Sequence, residues 1–101
     1  MADVNKLNQK NIIQALQKNK EILKEFGVKK IALFGSYVKN NQKTSSDIDI
    51  LVSMKKPTFD SYMDCKLFLE DLFHRKVDLV LEDNLKPALA YILQEAQYAE
   101  V

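Results

Sequence analysis

The stretch from Ile31 to Val52, IALFGSYVKNNQKTSSDIDILV, decides how the chain is read. An apolar run (Ile31, Ala32, Leu33, Phe34) stops at Gly35-Ser36. A polar segment follows, and a second apolar run then opens with Asp47 and Asp49. Successive side chains of a strand point to opposite faces, so Asp47 and Asp49 project from one side, about 7 Å apart. Two carboxylates held that way offer the oxygen ligands that hard divalent cations take. Gly35 stands where a strand hands over to a turn, so backbone N–H groups there can face a phosphate. Anion donors beside a metal-binding pair point to phosphoryl chemistry.

Outward from that stretch, Leu7, Ile12, Ile13, Leu16, Ile22, Leu23 and Phe26 recur at helical spacing, and Gly27 is a stop. The spacing predicts one amphipathic helix from Leu7 to Phe26, with Lys10, Lys18, Lys20 and Lys24 on its solvated face. The first strand is expected over Ile31 to Phe34, and a short helix from Ser36 to about Asn40. Asn40-Asn41 with Thr44, Ser45 and Ser46 reads as loop. The second strand alternates Asp47, Asp49 and Leu51 with Ile48, Ile50 and Val52, and Lys55-Lys56-Pro57 ends it. A second amphipathic helix is expected over Phe59 to Phe73, with Asp60 and His74-Arg75-Lys76 suiting its dipole. Val77 to Leu81 (VDLVL) reads as the third strand. Asp78 interrupts that apolar run; a buried unpaired carboxylate is costly, so it faces solvent or a partner such as a shared metal. A final helix is expected from Ala88 to Ala96, with Gln97 to Val101 frayed. This order defines an α/β (α+β) layer fold with a three-stranded sheet.

The 101 residues, 47% hydrophobic and 29% charged, fit one soluble domain spanning residues 1–101. Fifteen basic and fourteen acidic residues leave a net charge of +1, so bulk electrostatics do not favour nucleic acid. No apolar run approaches the ~20 residues of a membrane span, and the start lacks a signal-peptide core. With one cysteine, Cys65, there is no intrachain disulfide and no zinc-type cluster. A cytoplasmic protein is expected.

Gly35-Ser36, ten residues, then Asp47-Ile48-Asp49 resembles the signature of the DNA polymerase β-like nucleotidyltransferases. The likeness is closest to the minimal nucleotidyltransferase (MNT) domains of bacteria and archaea. It extends through Lys76-Val77-Asp78-Leu79-Val80 and Leu85-Lys86-Pro87, and so covers nearly all the chain after the first helix. It departs after Gly-Ser, where that family often carries Ala-Arg-Gly and this chain has Val38, Lys39 and Asn40. Lys39 keeps a positive charge for phosphate without the planar fork of arginine. Asn40 accepts the left-handed backbone of a glycine.

The resemblance implies a mixed sheet with Asp47, Asp49 and Asp78 gathered at one end, as catalytic residues and ligands of two Mg²⁺ ions. It implies Gly35, Ser36 and Lys39 as the nucleotide site, with ATP as substrate. It also implies a partner, a HEPN-domain toxin, on which the MNT protein acts as antitoxin by transferring AMP to a tyrosine. Two other readings compete: a non-catalytic antitoxin that works by covering its partner, and a transferase for a small molecule. An intact set of aspartates speaks against the first, and the absence of an acceptor domain against the second.

Overall fold

Asn8 opens the first helix: its side-chain oxygen accepts from the Asn11 N–H at 2.8 Å, and α1 runs Gln9–Lys18. The computed structural model describes residues 7–39 and 47–101. The single helix expected over Leu7 to Phe26 is broken at Asn19. Its side-chain amide donates to the Ala15 carbonyl at 2.8 Å, beside the backbone bond that the same carbonyl accepts from the Asn19 N–H at 3.2 Å. The backbone turns there to φ −103°, ψ 20°, and α2 (Lys20–Glu25) follows. Gly27, at φ +96°, ends the helical region as expected.

Strand β1 (Val28–Phe34) begins three residues before the expected Ile31. Lys29 and Lys30 point outward while Val28 is buried, and the backbone already pairs with β2 across a bulge between Val28 and Lys30. A 3₁₀ turn (Gly35–Tyr37) follows, shorter than the helix expected from Ser36. Asn40 and the loop through Ser46 lie outside the described residues. Strand β2 (Ile48–Met54) runs antiparallel to β1.

Helix α3 (Phe59–Phe73) matches its expected bounds. A capping box starts it: the Ser61 N–H donates to Thr58 Oγ1 at 3.0 Å and the Thr58 N–H to Ser61 Oγ at 2.9 Å. Cys65, Leu69 and Phe73, four residues apart, form its buried stripe. His74 closes it in the left-handed region at φ 53°. The helix carries the chain to β3 (Val77–Leu81), which pairs parallel with β2, as a crossover connection permits.

Among the described residues the sheet has four strands, in the order β3-β2-β1-β4, where three were expected. The last residues do not fray. Gln97–Ala99 form β4, antiparallel to β1, with Ile31 opposite Ala99 and Leu33 opposite Gln97. Three residues carry no periodic signal, but β1 offers a row of edge groups that need partners. The final helix is also shorter than expected: Pro87–Leu89 is a 3₁₀ turn and α4 spans Tyr91–Glu95. This segment takes the chain from β3, at one edge, to β4 at the other. Tyr98 Oη donates to Glu82 Oε1 at 3.0 Å, tying its two ends.

The core lies between one sheet face and the helices: Ile31, Ile50, Val52 and Leu79 meet Leu16 and Leu69, all buried. No described helix is long and apolar enough to cross a membrane. The docking of β4 predicts that Ala99→Asp, which buries a charge at a site 7% exposed, lowers stability by about 2 kcal/mol or more in urea unfolding. A frayed tail would tolerate it.

Candidate active site

Strand β2 sits between β1 and β3, so a residue in it has neighbours on both sides. For Asp49 these are Phe34, the last residue of β1, and Asp78, the second of β3. Register partners share a face, so the Asp49 and Asp78 carboxylates project together from strands about 4.8 Å apart. Asp47 is exposed and immediately precedes β2. The sheet therefore brings Asp47, Asp49 and Asp78 to one end, as expected.

The electrostatics follow from that crowding. Asp49 is half-buried, and its carboxyl is pushed from 3.8 up to about 6, first by burial and then by the charges of Asp78 and Asp47. An excess of negative charge at one point is what a divalent cation relieves. Among the described residues, no group of three or more His, Cys, Asp or Glu side chains closes into a metal cage. The donor set still fits magnesium, which takes one or two carboxylates and completes its shell with waters and substrate phosphates. Asp47, Asp49 and Asp78 are the residues that would hold it.

Gly35 has a role the sequence did not disclose. Its φ is +78°, and a Cβ placed on it would stand 2.1 Å from Asp49 Oδ2. The glycine thus makes room for the carboxylate of the next strand, besides opening the turn beside which a phosphate is expected. The Gly35 carbonyl accepts from the N–H groups of both Val38 and Lys39 at 3.1 Å, drawing the turn tight. Tyr37, 3% exposed, anchors it from the core side. That anchor was also missed, although an aromatic residue directly after Gly-Ser was the available signal. Ser36 lies partly buried between them. Lys39 reaches Glu95 of α4 at 3.5 Å, both side chains about half exposed (51% and 41%). Such a surface pair is weak, so the ammonium is held only loosely there.

The fold and this acidic end define a nucleotide-handling class. The polymerase β nucleotidyltransferase family matches residues 10–97, and the chain belongs to it. The protein adenylyltransferase MntA of Thermococcus cleftensis is 40% identical over 81 residues, 78% of this chain and 82% of that protein. A structure solved as a minimal nucleotidyltransferase superposes with a TM-score of 0.78 at 27% identity, covering 90% of this chain and 95% of that one. A chain from a toxin–antitoxin structure with AMP-PNP gives 0.66 at 26% identity, covering 91% and 72%.

Two predictions come from this geometry. Between the unfolded value near 3.8 and the folded value near 6, native Asp49 holds the extra proton, so stability falls as pH rises through that window and stays lower above it. Without metal, Asp49→Asn is therefore more stable than wild type at pH 7, by about 1–2 kcal/mol after allowance for solvent screening. The gap closes below pH 4, and Mg²⁺ stabilises wild type but not the variant, as read by thermal melts. Secondly, Gly35→Ala strains the turn and displaces Asp49. It should lower stability by at least about 1 kcal/mol and abolish MgATP binding in calorimetry.

Proposed function

We propose that this protein transfers AMP from ATP to a hydroxyl, that of a tyrosine, on a HEPN-type partner and thereby acts as its antitoxin. The observation that carries the reading is the register of Asp49 beside Asp78, with Gly35 against the Asp49 carboxylate. That arrangement joins a charge-dense acidic end to a tight turn suited to a triphosphate. A relative named a protein adenylyltransferase and a structural neighbour from a toxin–antitoxin complex with AMP-PNP support it.

Gly35 and Ser36 hold the β- and γ-phosphates through backbone N–H groups and the Ser36 hydroxyl. Lys39, loosely paired with Glu95, is free to swing toward the same phosphates. The acceptor hydroxyl oxygen attacks the α-phosphorus; the bond to the β-phosphate oxygen breaks, and pyrophosphate leaves. Asp78, exposed on β3, accepts the hydroxyl proton. Asp47, Asp49 and Asp78 would hold two Mg²⁺ ions, which supply positive charge to the attacking and leaving oxygens. The partner contributes the acceptor and holds it in line, which governs phosphoryl transfer more than covalent help does.

The test is to incubate the protein with its genomic neighbour, ATP and Mg²⁺, and to weigh the neighbour by mass spectrometry. Addition of AMP units is expected with wild type. Asp78→Asn should lower the rate at least ~100-fold, as loss of a general base does. An unmodified neighbour, silenced equally well by Asp78→Asn, would establish the covering antitoxin instead.

A further inference from the structure

Strand β3 carries Asp78 yet stands at the edge of the sheet among the described residues, with β2 on one side only. Its backbone groups alternate between the two sides. The Lys76 carbonyl accepts from the Ile48 N–H at 2.9 Å, on the β2 side. By alternation the peptide groups of Asp78 also face β2, while the Val77 N–H and the Leu79 carbonyl point off the free edge. Such groups ordinarily go to water. Here both are taken by side chains of α3: Glu70 Oε2 accepts the Val77 N–H at 3.0 Å, and the Tyr62 hydroxyl donates to the Leu79 carbonyl. The two bonds fall one residue to either side of Asp78. Lys66, one helical turn before Glu70, holds the same Oε2 at 2.9 Å.

The position of these bonds has a mechanical consequence. Asp78 faces Asp49 in register, and like charges there push β3 away from β2. Among the described residues no outer strand backs β3, so beyond its ladder with β2 the strand is braced against that push by α3. Resting on the role given to Asp78 above, we propose that Glu70 and Tyr62 are positioning residues that clamp the outer edge of β3 and hold the Asp78 carboxylate at the acidic site.

The probe is Mn²⁺, titrated calorimetrically into the full-length protein with AMP-PNP present, beside a melting curve for each variant. Glu70→Ala and Tyr62→Phe should each weaken Mn²⁺ binding about ten-fold, the scale of losing a residue that orients a ligand. Glu70→Gln, which keeps an acceptor for the Val77 N–H, should restore binding to within about two-fold of wild type on that same scale. Lower melting temperatures with wild-type Mn²⁺ affinity in both Glu70→Ala and Tyr62→Phe would overturn the clamp, provided that Asp78→Asn weakens binding. If Asp78→Asn binds Mn²⁺ like wild type, the role of Asp78 fails, and hydrogen exchange at its amide decides the clamp. Faster exchange in Glu70→Ala and Tyr62→Phe upholds it; unchanged exchange overturns it.

Discussion

Asp49 and Asp78 face one another across a parallel pair of strands, with Asp47 close enough to add its charge. Without a cation the carboxylates repel one another here. Every neighbouring feature bears on it: the apolar face of β2 fixes the strand from behind, Gly35 leaves space in front, and α3 holds β3 from outside. Local strain of this kind survives only where surrounding packing over-determines it, and it is the form in which a binding site holds affinity for what will relieve it.

Gly35 joins the two halves of the site through a single missing carbon. Its positive φ turns the chain out of β1, and its bare Cα lets Asp49 lie against the turn. Carboxylate and turn therefore cannot be adjusted independently. The cation proposed for the aspartates and the triphosphate proposed for the turn would then be neighbours, since Gly35 puts no side chain between them.

The C-terminal segment completes this arrangement from the other side of the sheet. It leaves β3 at Leu81, the end away from the aspartates, passes α4 beside the turn through the Lys39–Glu95 pair, and returns as β4 along β1. The same segment leaves Leu89, Tyr91 and Leu93 partly in solvent. The protein is thus firm at its acidic end and lightly built around it, as suits a domain whose acceptor is proposed to arrive on another chain.

Sequence alone determined the elements whose periodicity is strong. Helix α3 and strand β3 fall on their expected bounds, because a capped amphipathic stripe and an apolar run leave little choice. The Gly-Ser and Asp-x-Asp spacing likewise marked the candidate site residues before any geometry, since residue type and order carry the chemistry proposed for them. Tertiary structure decided the rest. Whether Gln97–Ala99 fray or pair depends on an open edge of β1, which lies more than sixty positions earlier in the chain. The nearness of Gly35 to Asp49, and of Glu70 and Tyr62 to the residues flanking Asp78, arises only when strands and helix are brought side by side. Local pattern records what each segment prefers; contacts between distant segments are settled by how those preferences pack together.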